Sequence, residues 1–207
     1  MERQLRKSLL IAMVLGDGYV TPVVNKRCTV PKTYYTLKLR HSAKQREYLE
    51  HKAKLLHSIL GGKQPKIQEI NNNGYPGVQI SKQHRWFRYL RKWMYPNGIK
   101  TYQRKILNYL TPEGIAIWYM DDGNLSLPKR NGKIHARRIY LNTHRTKEEN
   151  QIIIDFFKEK YAINFGQVLN KGWYRLTCGT KEAKKFIALV EPFIIPSMSY
   201  KIDMNYL

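Results

Sequence analysis

A chain of 207 residues with 37 lysines and arginines against 15 acids carries a formal charge of +22, spread along its whole length. A polyanion is the expected partner, and an elaborate multidomain machine is excluded. With 43% apolar and 12% aromatic residues the chain can bury roughly 70% of its unfolded surface at this size, which excludes disorder.

The apolar runs at 9–15 and 152–157, the latter broken by Asp155, fall short of the ~18–20 residues of a membrane span. No small-residue cleavage site follows a secretory-type run near the start. No membrane partner is expected. The expected location is intracellular, in cytoplasm, nucleoid or organelle matrix. Two cysteines, Cys28 and Cys178, cannot form a disulfide framework or a four-ligand zinc site and suit a reducing compartment. The six histidines lack the H-E-x-x-H pattern of a zinc hydrolase.

In chain order the predicted elements occur twice. An apolar helix ends in Asp-Gly at 8–20, SLLIAMVLGDGYV, and again at 113–125, EGIAIWYMDDGNL. Strand-like alternation then gives way to helical spacing at 33–56 and at 137–161. A hairpin follows in each half, 61–81 with its NNNGYPG turn and 164–177 with Asn170-Lys171-Gly172. Amphipathic helices come next at 82–94 and 181–190, then a proline and a lysine, Pro96 with Lys100 and Pro196 with Lys201. Thr111-Pro112 supplies an N-cap and a first helical residue for the second copy.

Each half therefore reads αββαββα, with repeats at 1–100 and 101–207. The class is α+β, with one antiparallel sheet per repeat and a pseudo-twofold that brings the two apolar helices side by side. Leu37 and Leu39 face inward in the first strand, and Ile139 and Leu141 in the second half. The outward sets, Thr36, Lys38 and Arg40, then Arg138, Tyr140 and Asn142, are basic and polar and suit duplex DNA. Tyr19 and Thr21 in one repeat and Asn124 in the other follow the Asp-Gly motifs along strands that face the same partner. Lys66, Gln68 and Gln79 in the first hairpin, with Lys171 and Arg175 in the second, complete the expected DNA contacts. His84 and Trp86 fall in the amphipathic helix and read as packing residues.

One Asp-Gly after an apolar helix is consistent with an ordinary helix end. Two at matching positions point further, because packed helices would juxtapose Asp17 and Asp122, and paired carboxylates need a cation. Magnesium fits such hard oxygen donors, with Mn2+ as a substitute, and the carbonyls of Gly16 and Asp121 could add ligands. Small residues Ala12, Gly16, Gly114 and Ala116 suit either close helix approach or plain core packing.

The segments LIAMVLGDG (10–18) and IAIWYMDDG (115–123) resemble two degenerate copies of the motif that names the LAGLIDADG homing endonucleases, in the single-chain, I-SceI-like form. The resemblance covers nearly the whole chain, including NYLTPEGIAIWYMDDG, YLNTHRTKEE and IPSMSYKI. It places the motif's last acid, a metal ligand, on Asp17 and Asp122. The often acidic sixth motif position is Leu15 and Met120 here. It implies a saddle of two antiparallel sheets on DNA, and double-strand cleavage across the minor groove. A basic active-site residue per repeat is implied too, falling on Lys100 and Lys201, positions that spacing alone reads equally well as solvated surface.

The function that follows is a monomeric, Mg2+-dependent, site-specific DNA endonuclease acting on a long asymmetric duplex site. The alternative is an RNA-binding intron maturase, with intron RNA as partner, or a non-cleaving DNA-binding protein on the same scaffold. General polyanion binding, with the repeat purely structural, is a third reading that predicts no sequence preference. There is no Cys or Ser start with a terminal His-Asn, so a protein-splicing element is not expected.

Overall fold

Alternation of apolar and polar residues decides the sheets, and the computed structural model, which describes residues 1–25, 31–72 and 74–203, shows the result in each half. The chain divides into two units, Met1–Thr101 and Tyr102–Leu207. In the first, α1 (Arg3–Leu15) leads into β1 (Tyr19–Asn25) and β2 (Lys32–Ser42). Then come α2 (Arg46–Leu60), β3 (Gln68–Asn72), β4 (Tyr75–Gln83) and α3 (Trp86–Met94). The strands form an antiparallel sheet in the order β1-β2-β4-β3. Val20, Leu37, Leu39, Val78 and Ile80 are buried, as are Leu49, Ala53 and Leu56 of α2 and Phe87, Leu90 and Met94 of α3. A one-residue slip would turn the strand residues to the solvated face at roughly 1.5–3 kcal/mol for each large side chain, which fixes the register.

The second unit repeats the plan. A short α4 (Arg104–Leu107) precedes α5 (Pro112–Asp122), β5 (Gly123–Ser126), a ribbon of β6 (Lys129–Arg130) and β7 (Lys133–Ile134), and β8 (Arg138–Arg145). Next are α6 (Lys147–Tyr161), β9 (Gly166–Asn170), β10 (Trp173–Cys178) and α7 (Thr180–Val190). The antiparallel order β5-β8-β10-β9 is the counterpart of the first sheet. Thr111 caps α5 by accepting from Gly114 N, and Thr146 caps α6 by accepting from Glu149 N. The core is aromatic: Phe157 lies 4.9 Å from Phe165 and 5.9 Å from Phe186, centroid to centroid.

The α+β class and the two antiparallel sheets are those the repeat predicts, with three local differences. β4 runs on to Gln83 because Lys82 and Gln83 pair with Leu37 and Thr36, so α3 starts at Trp86 rather than at 82. His84 consequently lies outside the helix, and its Nδ1 accepts the Trp86 amide at 3.2 Å, leaving it a helix-start cap against Phe87. The β6–β7 ribbon is an addition between β5 and β8. Among the described residues no helix is long and apolar enough to cross a membrane. Cys28 lies outside the described residues.

Candidate active site

The first apolar helix ends just short of its Asp-Gly and the second runs through the aspartate of its own, and close approach explains the glycine in both. α1 stops at Leu15, the amide of Gly18 donates to Met13 O at 2.8 Å, and a Cβ at Gly18 would stand 2.2 Å from that oxygen. Asp17 is thereby held in the turn just past the helix, with its side chain 40% exposed. In the second unit the helix runs through Asp122, which is half-buried.

The last carbonyls of an α-helix lack intrahelical donors and carry the negative end of its dipole, so an ammonium is well placed there. Lys100 Nζ donates to the carbonyls of Val14 (2.9 Å), Leu15 (3.0 Å) and Gly16 (2.8 Å). Lys201, buried, donates to the carbonyls of Met120 and Asp121, the latter at 3.2 Å. Each repeat's lysine therefore sits on the end of its own motif helix. The carbonyls of Gly16 and Asp121, expected as added metal ligands, are where these ammonium groups bind.

The carboxylates have further partners. His41 Nδ1 lies 3.4 Å from Asp17 Oδ2. Trp118 Nε1 donates to Asp122 Oδ2 at 3.1 Å, and Asn142 Nδ2 donates to the Asp122 carbonyl at 2.9 Å. Tyr102 stacks on Trp118 at 5.7 Å. Burial, reinforced by the Asp122 charge, pushes its phenol well above the usual range, so it stays protonated.

The polar sheet faces carry most of the other sequence-predicted residues. In the first unit Arg40, Gln79 and Gln68 stand in register across three strands, joined by Arg40 Nε donating to Gln79 Oε1 (3.1 Å) and Gln79 Nε2 to Gln68 Oε1 (3.0 Å). Tyr19 pairs with Lys38 and Thr21 with Thr36. Tyr19 is 48% exposed and packs edge-on to Tyr95 at 5.4 Å. Lys66 is exposed in the segment before β3.

In the second unit Asn124 pairs with Tyr140. The Arg175 guanidinium covers the Tyr140 ring at 4.0 Å and reaches Asn142 Oδ1 at 3.5 Å. Arg138 is exposed near the start of β8, and Lys171 sits at the β9–β10 turn with φ 51°. A basic face beside a carboxylate-bearing helix end is thus present in each unit.

Residues 7–186 match the LAGLIDADG DNA endonuclease family. The chain belongs to that family. As a LAGLIDADG protein it is a DNA endonuclease. It is 26% identical over 207 residues to the probable intron-encoded endonuclease 1 of Wickerhamomyces canadensis, covering 98% of this chain and 85% of that protein. It is 28% identical over 204 residues to the RecA protein of Mycobacterium gastri, spanning 94% of this chain and 46% of that one. Among solved structures, the homing endonuclease I-WcaI bound to its DNA recognition sequence superposes with a TM-score of 0.77 at 27% identity, over 98% of this chain and 87% of that one.

Sequence reasoning missed His41 and Trp118 of this endonuclease. Both left a signal. Trp118 lies four residues before Asp122 on one helix, a spacing that puts the two side chains on one face. His41 continues the inward series Leu37, Leu39, His41 along β2, where a polar ring has to find a partner.

Proposed function

We propose that this LAGLIDADG endonuclease is site-specific and hydrolyses one phosphodiester on each strand of a long asymmetric duplex site, across the minor groove. The cofactor is Mg2+, with Mn2+ able to replace it, and the enzyme acts as a monomer because both repeats lie in one chain. The observation that carries this reading is the repeated pair of one motif aspartate and one lysine at the same helix end, Asp17 with Lys100 and Asp122 with Lys201.

Carboxylate oxygens of Asp17 and Asp122 are hard donors of the kind Mg2+ takes, which fits a hydrated ion shared with substrate phosphate. When bound, the ion supplies Lewis acidity for the attacking water and the leaving 3′ oxygen. Asp17 and Asp122 would each hold such an ion, one aspartate serving each strand. Lys100 and Lys201 pin the helix ends that present those acids, and their charge offsets the negative charge that grows on the phosphate. Lys38, Arg40, Arg138 and Arg175 position the backbone, while Gln68, Gln79, Asn124 and Asn142 offer paired donors and acceptors to base edges.

The test is incubation of purified protein with a randomised duplex library in Mg2+ or in Ca2+, followed by sequencing of all new ends. Discrete ends at one sequence in Mg2+, with binding but no ends in Ca2+, are expected. Binding without any Mg2+-dependent ends would overturn the reading.

A further inference from the structure

The two repeats hold their motif carboxylates with unrelated rings. In the first, the His41 side chain is only 1% exposed and its Nδ1 faces two oxygens, Asp17 Oδ2 at 3.4 Å and Gln45 Oε1 at 3.3 Å. Its Nε2 lies 3.1 Å from Lys52 Nζ. An ammonium has only donors, and an amide or carboxylate oxygen only accepts. All three contacts therefore select one tautomer, in which Nε2 accepts from Lys52 and the Nδ1 proton points to Asp17 and Gln45. Packing fixes the ring as well: Tyr48 lies 5.1 Å from it, and fully buried Lys52 sits 4.4 Å from the Tyr48 ring centre.

The second repeat is built otherwise. Thr143 takes the place of His41 in the inward series of β8, and its hydroxyl lies 2.6 Å from Asn150 Oδ1. Asp122 is held instead from its own helix, by the Trp118 indole N–H at 3.1 Å. That indole is stacked with Tyr102 at 5.7 Å and with Phe157 at 6.4 Å. The counterpart of Trp118 in α1 is Met13, which has no N–H to give.

We propose that His41 and Trp118 are positioning residues, each fixing one motif carboxylate through a ring N–H, so that the cuts in the two strands respond to different substitutions. The inference rests on the reading that each aspartate serves one strand. A donor on Oδ2 restrains rotation of the carboxylate and sets the direction in which it is presented, so the donor acts through the aspartate and touches no reacting atom. Partners of this kind change metal affinity or rate by about 10–100-fold when removed.

The experiment is single-turnover cleavage of a duplex labelled differently on each strand. The variants are Asp17→Asn, Asp122→Asn, His41→Leu and Trp118→Phe, the last keeping the stacked ring while deleting the N–H. Asp17→Asn and Asp122→Asn assign the strands. Trp118→Phe is expected to slow the Asp122 strand by about 10–100-fold and leave the other within about threefold, with KM for DNA unchanged, and His41→Leu to do the reverse. Equal slowing of both strands by either variant, or no slowing, would overturn the proposal.

Two arms are independent of cutting. With 5-fluorotryptophan incorporated, the resonance lost in Trp118→Phe is expected to move in Asp122→Asn; no movement refutes the Trp118 half. The 15N spectrum of His41 is expected to show the Nδ1-protonated tautomer, and the other tautomer refutes the His41 half. If either aspartate variant stops both strands alike, the one-acid-per-strand reading fails, while these spectra still judge the contacts.

Discussion

Replacing Gly123 with alanine adds a methyl group where no space exists for it. Its Cβ would stand 2.0 Å from Tyr119 Cδ2, 2.2 Å from Cε2 and 2.4 Å from the Tyr119 carbonyl oxygen. The backbone φ of −81° is open to any residue, so the penalty is steric alone. Tyr119 cannot swing aside cheaply, because it is fully buried, donates its hydroxyl to Lys201 O at 2.7 Å and meets the Phe186 ring at 5.0 Å. Overpacking costs about 1–3 kcal/mol and loss of the hydroxyl bond roughly 1 kcal/mol. The sum is about 2–4 kcal/mol, which for a chain of this size lowers Tm by roughly 4–16 °C. Gly166→Ala is the matched control, since its Cβ meets only Thr177 O at 3.9 Å, and its Tm should hold or rise slightly. Scanning calorimetry of both variants decides the matter. Equal melting temperatures would refute the close-approach explanation of the second Asp-Gly.

Lys100→Met deprives three carbonyls of their donor and should cost about 2–4 kcal/mol by urea titration. Lys100→Arg should not restore it, because a planar guanidinium cannot converge on three oxygens of one helix end. Burial pushes the Cys178 thiol up to about 12; the reactive thiolate appears only as pH approaches that value. In a Cys28→Ser background a thiol reagent at pH 8 should therefore label nothing until denaturant is added. Lys38→Ala should weaken duplex binding and reduce the slope of log K against log salt by about 1, measured by fluorescence anisotropy.

Local chemistry was legible in the sequence where periodicity speaks directly. Leu37 with Leu39 and Ile139 with Leu141 turn inward as alternation requires, and Thr111-Pro112 starts its helix with the expected cap. The extension of β4 past Ser81 was not legible, because Lys82 and Gln83 are strand residues only through pairing with Leu37 and Thr36, more than forty residues away. Nor does spacing show that Lys100 grips a helix end, since its three acceptors lie some 85 residues earlier. Among the candidate site residues, Arg40 follows from strand phase, whereas its alignment with Gln79 and Gln68 needed the pairing of three strands. The partners of Asp17 and Asp122 needed tertiary structure, most of all His41, whose ring becomes a defined donor only when Lys52 and Gln45 close around it.

Strand-resolved mapping of the ends left by Asp17→Asn and Asp122→Asn, on the sequence the wild-type enzyme cuts, bears most directly on the central claim that the motif acids perform the hydrolysis. Both variants are predicted to bind that duplex with wild-type affinity in Ca2+ and to lose at least one of the two Mg2+-dependent breaks. Undiminished breaks on both strands in either variant would contradict the claim.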